Sequence, residues 1–236
     1  MEDIERYSDY NDYEDDVPGG KSPVGLILKI LIGAVCFAVI GVIGFRLMLF
    51  NSYPDKIKNL YFNEKLTAYY EEKDGDIDAK TQSLSAPYDD PDEGNFFCGN
   101  LVVIPEINQL QVSARYNVSL MESIKEKYGV ELSADNRDNF SFKLYVFPLS
   151  TDGEARIETG TLSFVDFDSK MMYRYYKLVF DDVDFTLDGE DGVWIGLEIS
   201  INGVEMEEPY MVLIYEDTEE TKFIDYKLSD KEKPGK

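Results

Sequence analysis

Between Lys29 and Arg46 the chain runs through sixteen residues, ILIGAVCFAVIGVIGF, without one charge. A helix of that length covers about 24 Å, slightly short of a bilayer's hydrocarbon core. The flanks VGLIL and LMLF lengthen the apolar stretch to Val24–Phe50, and the stems of Lys29 and Arg46 are long enough to carry their charges to the headgroups. Backbone groups in lipid must be satisfied within the segment, so such a stretch crosses as one helix. A soluble core helix would need apolar neighbours on every face. A cleaved signal peptide has a shorter apolar region and a small-residue cleavage site, which this stretch lacks. Cys36 follows Gly-Ala-Val rather than a lipoprotein cleavage signal and reads as a packing residue. The sequence therefore predicts a single-pass membrane protein with its transmembrane helix over 24–50. Ala34 with Ala38, and Gly33, Gly41 and Gly44, offer close-approach positions through which a homodimer would form in the bilayer.

This segment divides the rest. Residues 1–23 combine dense acids with Pro18, Gly19, Gly20 and Pro23 and are expected as a disordered acidic tail, since too little apolar surface is present to offset the ordering entropy. Tyr7, Tyr10 and Tyr13 stand in that solvated tail. Residues 51–95 read as a stalk or transition region. IKNLYFNEKLTAYY has enough apolar residues to pack, but its spacing fits helix and hairpin equally, while EEKDGDIDAK and SAPYDDPDEG read as polar loops.

From Phe96 the pattern becomes short strand-like runs: LVVI, LQVSARYN, FSFKLYVF, ARIETGTLSFVDF, MMYRYYKLVF, VWIGLEISI, YMVLIY and TKFIDYKL. That density of strands predicts an antiparallel β-sandwich over 96–230, immunoglobulin-like or related, with a polar tail at 231–236. In the sixth run Val193, Ile195, Leu197 and Ile199 alternate with Trp194, Gly196, Glu198 and Ser200, giving an inner and an outer face. Asn202-Gly203 after it is a hairpin signal. One short surface helix is expected where Ser119 and Glu122 form a capping box, Leu120, Ile124 and Tyr128 share a face and Gly129 closes the end.

Charge and composition exclude several functions. With 47 Asp and Glu against 23 Lys and Arg the formal net charge is −24, which repels phosphate backbones, so nucleic acid is not an expected partner. The chain has no histidine, which removes Ser-His-Asp, Cys-His and His-zinc chemistry together. Cys36 and Cys98 lie in different environments and do not suggest a disulfide. No glycine loop is followed by Lys-Ser/Thr, and no pair of acids is marked for glycoside-type hydrolysis. Tyr173, Tyr175, Tyr176 and Trp194 would suit a substrate platform but are first of all good strand packing. Asn117-Val118-Ser119 and Asn139-Phe140-Ser141 have the form of glycosylation acceptors, as chance alone would supply. No enzyme is expected.

Asp74, Asp76 and Asp78 match the start of a calcium loop, but Ala79 and Ser85 stand where an EF-hand needs Gly and Glu. A looser calcium site is conceivable if end loops of the sandwich gathered Asp89, Asp90 and Asp92 with Asp181, Asp182 and Asp184, or with Asp188 and Asp191, because calcium accepts irregular oxygen cages.

Arg6, Lys21 and Lys29 on one side of the span against Arg46, Lys56, Lys58 and Lys65 on the other mildly favour a cytoplasmic C-terminal domain. An N-terminal anchor with a large β domain nevertheless resembles single-pass bacterial envelope proteins with an exported sandwich, a likeness of layout that assigns no residue a role. It implies an extracytoplasmic domain in the cell membrane. The expected function is a membrane-tethered, non-enzymatic binding or interaction module for an unknown protein or glycan. The alternative is an accessory subunit of a membrane complex assembled through the helix.

Overall fold

The computed structural model describes residues 23–83, 96–148, 156–185, 193–215 and 223–234. The chain forms two compact units, Met1–Asn51 and Ser52–Lys236. In the first, a single helix, α1 (Pro23–Asn51), contains the stretch Ile27–Arg46, long and apolar enough to cross a membrane. Its side chains from Ile27 to Arg46 are exposed.

The second unit is mainly β: two antiparallel sheets of six and four strands packed face to face. The helices α2 (Asp55–Lys58) and α3 (Glu64–Glu72) precede β1 (Lys80–Ser83), β2 (Phe96–Ile104) and β3 (Gln109–Asn117). Helix α4 (Ser119–Tyr128) leads into β4 (Phe140–Pro148), β5 (Ile157–Glu158), β6 (Thr161–Lys170) and β7 (Tyr173–Asp181). Strands β8 (Val193–Ile201), β9 (Tyr210–Tyr215) and β10 (Ile224–Asp225) complete it. The large sheet has the order β10-β1-β2-β3-β7-β6 and the small one β5-β4-β8-β9.

Period-2 alternation determines the core. Leu110, Val112, Ala114 and Tyr116 of β3 face Phe140, Phe142, Leu144 and Val146 of β4 and Ile195, Leu197, Ile199 and Ile201 of β8, with Tyr176, Leu178 and Phe180 of β7 beside them. Cys98 is buried in the same core, and burial pushes its thiol up to about 12. Since the thiolate is the reacting form, Cys98 is expected to resist maleimide at pH 8 in the folded chain and to react fully after denaturation, as mass spectrometry would record.

Four local expectations change. The fourth strand-like run is split into β5 and β6 at Gly160, whose φ is +69°, and among the described residues of the last only the two of β10 form a strand. The Ser119 capping box is not made: Ser119 is already helical and the Asn117 side chain accepts from the Ser119 N–H at 3.1 Å, while Leu120 and Ile124 of this surface helix reach the main core. Asn202-Gly203 does turn the chain, with the Val204 N–H donating to the Ile201 carbonyl at 3.2 Å. Strands β8 and β9 pair only from Ile199 and Tyr210, however, so the connection is longer than a two-residue hairpin.

The stretch expected as a stalk carries structure through residue 83. Residues 52–79 form a strap over the outer face of the six-stranded sheet, with Ile57 and Leu66 fully buried, and β1 joins that sheet. The helix-or-hairpin ambiguity resolves to helix: Asn63 caps α3 by accepting from the Leu66 N–H at 2.9 Å.

Candidate functional site

The strap turns what would be a solvated sheet face into a buried polar layer. The residues that alternate with the core positions are Gln109, Gln111, Ser113 and Arg115 on β3 and Tyr173, Tyr175, Lys177 and Val179 on β7. Gln109, Gln111, Ser113 and Lys177 are all buried, so each polar group there must find a partner or lose free energy.

At one end of the sheet Tyr53 lies over Gly99, where a Cβ would stand 2.5 Å from the ring, and meets Tyr175 edge-on at 5.2 Å. The Arg115 guanidinium sits among three rings, 4.5 Å from Tyr173, 5.4 Å from Tyr53 and 5.6 Å from Phe97, an arrangement in which ring quadrupoles stabilise the cation. Farther along, Lys56 donates to the Phe167 carbonyl at 2.7 Å and pairs with Asp166 and Asp168. The Ser113 hydroxyl donates to the Ile57 carbonyl at 2.7 Å.

Toward the other end an amide relay fixes the strap backbone. Gln111 accepts from the Tyr61 N–H at 2.9 Å and donates to the Tyr61 carbonyl at 2.8 Å, and its amide also donates to Gln109. Gln109 donates in turn to Asn63 and to Asp181, and Asn63 donates to Asp181 at 2.9 Å. The Tyr61 ring stacks on Phe164 at 3.5 Å. Burial alone would raise the Asp181 carboxyl, but the donors Gln109, Ser163 and Asn63 and the Lys65 charge hold it below its ordinary value. Glu232 does the same from the C-terminal segment. It accepts from the Leu60 N–H, the Ser229 N–H and hydroxyl and the Tyr226 hydroxyl, which outweigh its burial and lower its pKa.

Lys177 is the exception. It stands opposite Ser113 on one side and Asp166 on the other and is 1 % exposed. Among the described residues no hydrogen bond or ion pair reaches its ammonium. Desolvation pulls its pKa down from 10.5 to about 7, opposed only by the Glu232 charge. An amine so placed is partly neutral near physiological pH, which makes it the one group of this layer whose charge responds to ordinary pH.

Of the aspartates suggested for calcium, Asp181, Asp182 and Asp184 are described. Asp181 belongs to the relay, exposed Asp182 pairs with Lys65 at 2.8 Å, and the Asp184 N–H donates to the Thr159 hydroxyl. Asp89, Asp90 and Asp92, like Asp188, Asp191 and tail residues 1–22, lie outside the described residues. Among the described residues no three acids or cysteines gather as a metal would need. Asp74 and Gly75 form the turn that ends α3, both at positive φ. A groove of about 510 Å³ beside it is lined by Tyr69, Glu106 and Tyr226, with Lys73 paired to Glu106 at 2.9 Å. The aromatic platform is not assembled: Tyr176 is in the core, whereas Tyr175 is on the strap face.

The layer was hidden in sequence because Gln109, Gln111, Ser113 and Arg115 alternate as a solvent-facing strand would, and nothing marks the strap as their cover. No family model matches the chain, and no curated protein or solved structure was found to match it.

Proposed function

We propose that this chain is a single-pass, membrane-tethered, non-catalytic binding module, with its β domain on the extracytoplasmic side and a protein or glycan as ligand. The observation that carries the reading is the contrast between the two outer sheet faces. One is covered by the chain's own strap. The other, on the four-stranded sheet, leaves the apolar side chain of Met211 39 % exposed. A Cβ at Gly196 would stand 2.7 Å from the Phe147 ring and 3.0 Å from the Met211 sulfur, so glycine lets that ring lie across the strand beside Met211. Arg156 covers Tyr145 at 4.8 Å and pairs with Glu198 at 2.9 Å. Aromatic, methionine and arginine side chains of this kind are those enriched where proteins meet partners.

The test is affinity purification of the full chain from native membranes, begun by labelling intact cells with a membrane-impermeant lysine reagent. Label on the domain is expected, together with a partner that is lost in the Met211→Asp, Arg156→Glu variant and kept when residues 24–50 are replaced by an unrelated span. An unlabelled domain overturns the side. A partner kept by the surface variant but lost with the span replacement replaces the reading with that of an accessory subunit.

A further inference from the structure

The chain reverses between β6 and β7 through two residues, Met171 and Met172, with Lys170 paired to Tyr173. Such turns need positive φ at a central position and ordinarily take Gly, Asn or Asp there. Here Met171 adopts φ +55° with 71 % of its surface exposed, and Met172 is 48 % exposed. In water this is doubly unfavourable, a bulky side chain in a left-handed conformation and two adjacent apolar side chains in solvent. The other large apolar residues this open in the described part of the folded unit, Ile157, Met211 and Ile224, are isolated in sequence.

The turn is also tied to a particular place in the chain. The Lys170 ammonium donates to the Ser52 carbonyl at 3.0 Å and hydroxyl at 3.1 Å, and Ser52 directly follows Asn51, the last residue of α1. The turn is therefore tied, within the folded unit, to the residue joined by a peptide bond to α1. Its polar neighbours are already engaged: Arg174 donates to the carbonyls of Ala134, Met171 and Tyr173, and Lys56 pairs with Asp166 and Asp168. Tyr173 flanks the turn, an amphipathic ring of the kind that accumulates at membrane interfaces.

We propose that the Met171-Met172 turn dips into the headgroup–acyl boundary of the bilayer that α1 crosses, giving the domain a second, lipid-held point of attachment. This rests on the membrane-tethered reading. The occupant is lipid, taken up by its apolar character rather than by headgroup charge, as for other interfacial apolar residues.

The test uses the full chain in phosphatidylcholine vesicles, with Cys36→Ala and a polarity-sensitive fluorophore on Met171→Cys, Ala38→Cys or Lys231→Cys; buried Cys98 does not compete for label. At Met171→Cys, blue-shifted emission, quenching by a shallow lipid-borne nitroxide and several-fold weaker quenching by aqueous iodide than at Lys231→Cys are expected. Iodide quenching equal to that at Lys231→Cys, with the Ala38→Cys probe still in lipid, overturns the proposal and leaves the anchor standing. Shielding from both quenchers shows the turn covered by protein, a second copy for instance, and also overturns it. An Ala38→Cys probe outside lipid removes the membrane reading and this proposal together.

Discussion

Replacing Lys177 by methionine is expected to stabilise the folded chain, by about 4 kcal/mol near pH 7.5. The native residue keeps an amine 1 % exposed with no hydrogen-bond partner among the described residues, so the folded state bears a desolvation cost that the unfolded chain does not. A fall in pKa from 10.5 to about 7 corresponds to roughly 4–5 kcal/mol at about 1.4 kcal/mol per decade. Methionine nearly conserves the volume and removes the charge. For a unit of this size such a gain moves the melting temperature on the order of 10 °C, which thermal denaturation of the full chain in detergent would read.

The pH dependence gives a second check. The unfolded amine keeps its proton to about 10.5, whereas the folded one releases it near 7, so between these values the unfolded chain binds more protons. The native chain therefore gains stability as pH rises from about 7, and below that the cost is at its full value. The groups around Lys177 leave this intact. Ser113 does not titrate in this range, Asp166 is taken by Lys56, and Glu232 is held ionised by its donors. Burial raises Tyr53, Tyr176 and Tyr226 above 10, so these contribute stability that is lost only as pH rises beyond about 10. Comparison of the K177M variant with the native chain from pH 7 to 9.5 thus isolates the lysine, and the variant should lack the rising slope. A variant less stable than the native chain, or one with the same slope, contradicts the unpartnered amine.

How far the fold could be read in advance follows from the kind of signal each part carries. The β-sandwich was legible because its inner strands alternate cleanly: Leu110, Val112, Ala114 and Tyr116, and Ile195, Leu197 and Ile199, reach the core as period 2 requires. The apolar helix was legible from length and composition alone. The strap was not, because Ile57, Leu60, Tyr61 and Leu66 are too few to set a period, and what orders them is a sheet about 50 residues away, through bonds such as Gln111 to Tyr61. The same long-range cover turned the polar side of β3 from a solvent face into an interface. Lys177, set within YRYYKLVF, looked like an ordinary outward-facing strand residue, and only the strap above it makes it unusual. Turn details failed for a different reason. Val118 rather than Ser119 takes the N-cap position of α4, with the Asn117 side chain accepting from the Ser119 N–H, a shift that pattern alone does not resolve.

Truncating Ile57 to alanine is expected to open the strap before the sandwich unfolds. Ile57 is fully buried beneath a backbone held by Ser113, Gln111 and the carboxylate of Glu232. Deleting such a side chain costs about 2–4 kcal/mol. The cost falls on the strap, because the sandwich core is built from β2, β3, β4, β7 and β8 without it. Opening also returns Lys177 to water and relieves its desolvation, so peeling the strap is cheaper than its buried area implies, and cheaper still at low pH. Trypsin reports this directly. The backbone around Lys56 and Lys58 is held by bonds from Ile57 and Lys58 to the Pro54 carbonyl and from Asn59 to Asp55, and cleavage requires them to open. Where reclosing outruns cleavage the rate follows the open population, so 2–4 kcal/mol means about thirty- to several-hundred-fold faster cutting at Lys56 and Lys58. Ile57→Val should give a smaller acceleration, and adding Lys177→Met to Ile57→Ala should slow cutting again. Cys98 should stay unreactive throughout, since its thiol lies between the sheets. If Cys98 labels as fast as trypsin cuts, the strap and sandwich unfold as one unit and the strap is not a separable layer.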